Sequence, residues 1–389
     1  MNPSNNLHCD IAIIGGGPVG AALALGLRDS ELDVRVLEAR KVEHMPSEQR
    51  ALVLSYGSRL LLERLGLWAQ LAPFNPIRTI HISQKNYFGR TLLRAHEANV
   101  PELGYVVPQS AVQRMLHSAL RASNIACVEG AEVTDLHHTE QGATLTYQHG
   151  EGVYLLNTRL AVVADGGKLL ENSHPPKVHD YGQSALIAHV TCRYPQANAA
   201  FERFTTQGPI ALLPFNSGYE LVWTVERAQE QVMMAWDDAN FLAQLHHQFG
   251  DRVGQFLTIG KRACYPLRLK RAPETTLPHT VLLGNAAQTL HPVAGQGFNL
   301  GLRDAYELAQ KIMLSTREEL GGAAMLGAYR KQRQLDRIGG IHFTDFLVRS
   351  FSNSLPILTS GRAISLSVLD CLPEAKKFVA RRMIFGANG

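Results

Sequence analysis

The spacing of apolar and polar positions changes period several times along the chain. Ile11-Ala12-Ile13-Ile14 is a short apolar run that stops at Gly15-Gly16-Gly17-Pro18-Val19-Gly20, after which Ala21, Ala22, Leu23, Ala24, Leu25 and Leu27 continue as good helix formers. This predicts a strand, a tight turn and a helix. Val34-Arg35-Val36-Leu37 alternates into Glu38 and predicts the second strand of a βαβ unit. Towards the other end Val281-Leu282-Leu283 reads as a strand stopping at Gly284-Asn285, and a glycine-rich stretch through Gly295, Gly297 and Gly301 leads into a helix. The apolar stripe of that helix is Leu302, Ala305, Tyr306, Ala309, Ile312 and Met313, with Arg303, Asp304, Glu307 and Lys311 expected to face outward. Between these two regions, residues 176–272 alternate in Leu186–Val190, Ile210–Leu213 and Glu220–Val225 around turn residues such as Asn216-Ser217-Gly218, the pattern of an antiparallel sheet. Leu335–Phe385 is apolar without strand alternation and predicts packed helical hairpins.

Length and composition narrow the classes. A chain of 389 residues outgrows a single core and predicts two interleaved domains. With 45% hydrophobic and 19% charged residues it is neither disordered, collagenous nor a coiled coil. The balance of 38 basic to 34 acidic residues is too near neutral to make nucleic acid a partner. The charge is uneven, however: residues 331–389 hold nine Lys or Arg against four acids. A basic, apolar tail fits two roles equally, docking on an anionic membrane or a partner subunit, or a solvated helical cap. The five cysteines lie far apart without CxxC spacing, which predicts reduced thiols in the cytoplasm. His246 and His247 cannot face one direction on a helix, so no metal site is expected. The uncharged run Ile11–Leu27 lacks a basic flank and is broken by five glycines and a proline, so a soluble chain is expected.

The glycines have distinct physical tasks. Gly15 permits the turn, Gly17 lets backbone approach a pyrophosphate, and Gly20 lets the helix pack on the strand while its N-terminal N–H groups face the phosphates. Glu38 follows Gly15 by 23 positions, close to the offset at which an acid meets a ribose. NAD and FAD share this first unit, so the second glycine-rich stretch decides between them. A helix N-terminus around Gly297, Phe298 and Asn299 suits the negative charge of a reduced flavin ring, which a nicotinamide would not need.

Together these segments resemble the FAD fingerprints of the aromatic-ring flavoprotein monooxygenases, the group that includes p-hydroxybenzoate hydroxylase. Gln49-Arg50-Ala51-Leu52-Val53-Leu54-Ser55 resembles the stretch in which an arginine reaches the FAD, placing Arg50 there; a surface arginine before a helix is the alternative. Val107-Pro108-Gln109-Ser110 resembles the stretch in which a glutamine, here Gln109, touches the cofactor. Ala161-Val162-Val163-Ala164-Asp165-Gly166 resembles the middle fingerprint, but Leu169 and Glu171 or Asn172 replace its Ser and Arg. That departure bears on how a nicotinamide donor would be handled. Gly284-Asn285-Ala286-Ala287-Gln288-Thr289-Leu290-His291-Pro292 carries Asn and Gln where most relatives have Asp and His, and this variation is similar to the ubiquinone-biosynthesis branch.

The resemblance implies an α/β fold in which a Rossmann-like FAD-binding domain (1–75, 100–175 and 273–330) is interleaved with an antiparallel β-sheet substrate domain (76–99 and 176–272), followed by C-terminal helices (331–389). It implies hydroxylation of a polyprenylated phenol, of the 2-polyprenyl-6-methoxyphenol type, by O2 activated as a flavin C4a-hydroperoxide, with NAD(P)H as electron donor. The alternatives are another ring position, a soluble aromatic substrate, or a flavoprotein component of a biosynthetic complex that does not turn over. By the same resemblance Gly15, Gly17, Gly20, Glu38, Arg50, Gln109, Asp165, Gly284, Asn285, Pro292, Gly295, Gly297, Phe298 and Asn299 would surround FAD. Pro292 and His291 would lie beside the reacting flavin face, where the Pro292 carbonyl orients the phenol and His291 is either an acid/base or a locally hydrogen-bonded side chain. Pro214 and Phe215 are either pocket wall or ordinary sheet core. Contact with the inner membrane or a biosynthetic complex would run through the C-terminal region.

Overall fold

The computed structural model describes residues 6–41, 50–289, 296–351 and 365–386, with the side chains of 6, 296 and 340–351 left aside. The chain opens with β1 (Asn6–Ile14), α1 (Pro18–Gly26), β2 (Val34–Glu38) and β3 (Ala51–Ser55). α2 (Tyr56–Arg64), β4 (Asn75–Ile77), β5 (Thr79–Gln84), β6 (Arg90–Arg94), β7 (Gly104–Pro108) and α3 (Gln109–Ala122) follow. Next come β8 (Ala126–Glu129), β9 (Ala131–His138), β10 (Ala143–His149), β11 (Gly152–Val163), β12 (Lys177–Cys192), β13 (Ala199–Thr205), β14 (Gly208–Phe215) and β15 (Gly218–Glu226). After α4 (Glu230–Ala235) and α5 (Asp238–Phe249) the remaining strands are β16 (Phe256–Ile259), β17 (Ala263–Arg271), β18 (Thr276–Leu277), β19 (Thr280–Leu282) and β20 (Gln288–Thr289). Two long helices, α6 (Gln296–Met313) and α7 (Ala323–Phe351), precede a C-terminal helix at Pro373–Phe385.

Three sheets organise these elements. The first runs β18-β19-β11-β1-β2-β8, with parallel pairing from β19 to β8, and carries β10 and β9 as antiparallel additions. Ile11, Ile13, Val36, Leu160 and Val162 are buried to 3% exposure or less, because α1, α3 and α6 cover one face. The second sheet runs β20-β17-β12-β15-β14-β13-β5-β6. It is antiparallel as expected except where β13 lies parallel to β5, which joins residues 79–94 to the strands of 177–271. Its two faces differ: Phe201, Leu212, Tyr219, Leu221 and Trp223 pack under α5, whereas Ala200 and Phe215 meet Ile77 and Val106 of the small third sheet β3-β7-β4.

The expected faces of α6 are corrected. Arg303 and Asp304 do not face outward on α6, because α7 covers that side: Asp304 is fully buried and its Oδ1 accepts from Arg333 Nε at 2.7 Å. Arg333 Nη2 donates to Asp336 at 2.7 Å, and Arg337 and Arg303 complete the charged seam between the helices. Of the expected apolar stripe Met313 is half exposed, and Leu308 is buried in its place. α7 runs unbroken through residue 330. Among the described residues no helix is long and apolar enough to cross a membrane.

Candidate functional site

The site is built where three adjacent parallel strands end. β1, β11 and β19 all release their chains at the same edge, into Gly15–Gly17, Asp165–Gly167 and Gly284–Ala286. A Cβ on Gly15, whose φ is +100°, would stand 2.7 Å from the Ala164 carbonyl oxygen, and one on Gly167 would stand 3.4 Å from Ala286 Cα. The three loops are therefore in contact. Gly20 is required by closeness as well: its Cβ would fall 2.0 Å from the Gly15 oxygen, so any side chain would push α1 off the turn. Val19 then locks the layers together, since its Cγ2 would meet a Cβ at Gly284 at 3.1 Å and one at Gly301 at 2.8 Å.

Other glycines face open space. A Cβ at Gly17, Gly166 or Gly297 would meet no atom of the described residues within 4 Å, and two of these positions lie at the N-terminal ends of α1 and α6. This is a cradle for an extended anionic ligand, with backbone N–H groups and two helix dipoles aimed at it, at the point where α/β sheets bind dinucleotides. The residues present suit FAD, whose pyrophosphate would lie at α1 and whose flavin would lie at α6.

The individual side chains are used unequally. Glu38 turns back on the first loop, its Oε2 accepting from Gly16 N at 2.7 Å and its Oε1 from Arg40 N at 2.9 Å. Asp165 braces its own loop through Gly167 N at 2.8 Å and Leu169 N at 2.7 Å. Asn285 is exposed beside it. Asn299 is 1% exposed, and its amide is committed to protein: Oδ1 accepts from Ser55 N at 2.8 Å and Ser58 Oγ at 2.7 Å, while Nδ2 donates to Val53 O at 3.0 Å. That side chain ties α6 to β3 and α2 rather than reaching into the cradle. Phe298 likewise packs on the first-sheet core. His291, Pro292 and Gly295 lie outside the described residues.

The second sheet closes the other side. Gln109 N donates to Arg50 O at 2.8 Å, so the start of α3 and the start of β3 are held side by side. The Arg50 guanidinium stacks 4.6 Å above the Tyr265 ring of β17, and Glu220 of β15 accepts from Ala51 N at 3.4 Å. Pro214 and Phe215 are buried, Phe215 in the cluster that joins the second and third sheets. Burial pushes the Glu220 carboxyl up and raises that of Glu202 on β13 to about 7, while it lowers His189. A carboxyl near neutrality can exchange a proton at working pH. Close by, an apolar cavity is lined by Val53, Ile77, Ile80, Leu93, Leu103 and Ile384, with Ser55 and Asn299 as its polar groups.

Comparison with known proteins gives this geometry its place. The FAD binding domain family matches residues 8–336. The ubiquinone hydroxylase UbiL of Rhodospirillum rubrum is 30% identical over 96% of this chain and 88% of its own length. The 3-demethoxyubiquinol 3-hydroxylase of Escherichia coli is 30% identical over 93% of this chain and 94% of its own. The chain belongs to the FAD-dependent hydroxylases of ubiquinone biosynthesis. In fold it is similar to the p-nitrophenol 4-monooxygenase PnpA of Pseudomonas putida, with a TM-score of 0.78 at 14% identity, covering 98% of this chain and 99% of that one.

As a member of this hydroxylase family it is an FAD-dependent aromatic-ring monooxygenase that uses O2 and a small-molecule substrate. Several polar residues buried or half-buried on the second sheet carry no motif of their own in the sequence. Glu202, Glu220, His189 and Tyr265 stand on strands read only as sheet, and a charged residue inside an apolar alternation, as in Phe201-Glu202-Arg203-Phe204, was the available signal. Lys376 is 6% exposed and pairs with Glu97 at 3.2 Å and Asp370 at 3.5 Å, which anchors the C-terminal helix to the β6–β7 connection.

Proposed function

We propose that this hydroxylase acts on a polyprenylated phenol of the 2-polyprenyl-6-methoxyphenol type, converting it to the 1,4-benzoquinol, with NAD(P)H as the electron donor. The observation that carries this reading is the cavity beside Asn299: Val53, Ile77, Ile80, Leu93, Leu103, Ala380, Met383 and Ile384 form a wall without any ionisable group. A carboxylated aromatic substrate would need a cation there, whereas a hydrocarbon tail needs none. The phenol ring is then held towards the N-terminus of α6, with the tail directed under the C-terminal helix.

In this reading Gly15, Gly17 and Gly20 admit the pyrophosphate to α1, Glu38 receives the ribose, and Arg50 with Gln109 flanks the flavin from the second-sheet side. Bound FAD supplies reduction and oxygen activation. The protein binds and orients the ring and keeps water out between the second and third sheets. Pro292 and His291 enter by resemblance alone, as the pair beside the reacting carbon.

The test is turnover of 2-polyprenyl-6-methoxyphenol by FAD-loaded protein with NADPH and O2. A product heavier by one oxygen, hydroxylated para to the phenol, supports the reading. The ring-carbon alternative has a specific support in the 30% identity to a 3-demethoxyubiquinol 3-hydroxylase, and a hydroxyl at another carbon would select it. Met383→Trp, which fills the cavity, is expected to lower kcat/KM for the long-tailed phenol about tenfold while sparing the tailless phenol. Equal losses for both substrates would remove the tail from this cavity.

A further inference from the structure

On the face of the second sheet that packs under α5, four cations gather with no carboxylate paired to them among the described residues. Arg90 of β6 pairs in register with Ser83 of β5, and Ser83 with Arg203 of β13, so the three side chains form a row across adjacent strands. Arg252 joins from beyond α5. Its Nη1 donates to Ser83 Oγ at 2.9 Å, and Arg203 Nη1 reaches the same oxygen at 3.5 Å. Arg203 Nε donates to the Gln248 carbonyl at 3.1 Å, and Lys85 Nζ to Gln248 Oε1 at 2.7 Å.

Among the described residues every acceptor these cations reach is neutral. Their electrostatic neighbours are one another: burial and Arg252 lower Arg203, burial and Arg90 lower Arg252, and burial and Arg203 lower Lys85. His81, on the same strand face, is pushed down to about 4 by burial and by Arg252, Arg90 and Arg203. Neighbouring carboxylates do not help. The Asp251 side chain is 93% exposed and pairs with His246, and Glu202 alternates to the opposite face of β13. Half-buried cations that repel one another are stabilised by a bound anion.

The hairpin that carries this cluster also ends in apolar surface. Between β5 and β6 the chain passes through Asn86, whose φ is +61°, and presents Tyr87 at 38% exposure and Phe88 at 77%. An aromatic tip beside a basic base is the composition of a segment that seats in a lipid headgroup layer. The opposite face of the same hairpin supplies Ile80 and Leu93 to the apolar cavity.

We propose that the β5–β6 hairpin, with Arg90, Arg203 and Arg252 at its base, docks this protein on an anionic phospholipid surface, a headgroup phosphate against the arginines and Phe88 in the headgroup–acyl boundary. A nucleotide donor is disfavoured at this place because the sheet separates it from the flavin side. Docking here brings the edge of the apolar cavity towards the bilayer. That consequence rests on the proposed polyprenyl substrate, whereas the docking itself does not.

The experiment is flotation of the FAD-loaded full chain with vesicles of phosphatidylcholine alone or mixed with phosphatidylglycerol, at low and high salt. Association with the mixed vesicles only, weakened by salt, is expected. Arg90→Glu and Phe88→Ser alter exposed side chains and are each expected to reduce partitioning about tenfold or more, with an unchanged melting temperature. Equal binding to both vesicle types overturns the proposal, as does retention by both variants. A rise in melting temperature with inorganic phosphate, abolished by Arg90→Glu and unaccompanied by flotation, also overturns it and assigns the cluster to a free phosphate. Since the readout is lipid association, it can fail while the substrate assay succeeds, and the reverse.

Discussion

Glu202 shows how a single position can carry information that its neighbours in sequence conceal. It sits in β13 between Phe201 and Arg203, which pack on the α5 face, and strand alternation turns it to the side of Ala200 and Phe204. Burial there raises its carboxyl from the ordinary 4.5 to about 7. Because the folded value lies above the unfolded one, the folded state binds the proton more tightly. The stability this contributes is full below about pH 4.5 and is lost as pH rises towards 7. Glu202→Gln removes the ionisation, so the variant should gain on the wild type between pH 5 and 8 by about 1–2 kcal/mol after screening. Urea unfolding at the two pH values measures it, and a gap that does not change with pH would show that Glu202 is solvated.

At the scale of elements, the two glycines of the first turn make opposite predictions. A methyl group at position 17 meets no atom of the described residues within 4 Å, so Gly17→Ala should leave the melting temperature of the apoprotein nearly unchanged and weaken FAD binding at least about tenfold, by entering the pyrophosphate's space. A methyl group at position 20 collides with the Gly15 oxygen, so Gly20→Ala should lower apoprotein stability itself, by about 1–3 kcal/mol. Thermal melts with and without FAD, alongside fluorescence titration of the cofactor, separate the two. The same loss in both variants would mean that the turn and the cradle are one rigid unit.

For the whole molecule the charged seam between α6 and α7 is decisive, because the C-terminal third is held on the core through buried ions. Asp304 is fully buried and faces Arg333, which is 2% exposed, with Arg337 at 3.5 Å. Asp304→Ala leaves Arg337 without its carboxylate and Arg333 with Asp336 alone, and is expected to cost about 3–5 kcal/mol. The loss should persist in high salt, since a buried pair is little screened. Denaturant unfolding in low and high salt tests this; recovery of stability by salt would place the seam in solvent.

The sequence by itself determined the opening βαβ unit, the second glycine-rich turn, the antiparallel middle region and the family, because all of these rest on local signals. A glycine needed for a turn, an alternation of period two and a helical stripe are each written within a few residues. Only the tertiary structure decided what lies across those elements. Asn299 reads as a cofactor residue beside a helix start, yet its amide is consumed by Ser55, Ser58 and Val53, partners about 240 residues away in sequence. Arg303 and Asp304 read as a solvated face until α7 covers it. The cations gathered at the β5–β6 hairpin come from three separate segments, the hairpin itself, β13 and the turn after α5, and no one of them is unusual in sequence. Burial and charge balance are sums over neighbours in space, and those neighbours are chosen by the packing of the whole chain.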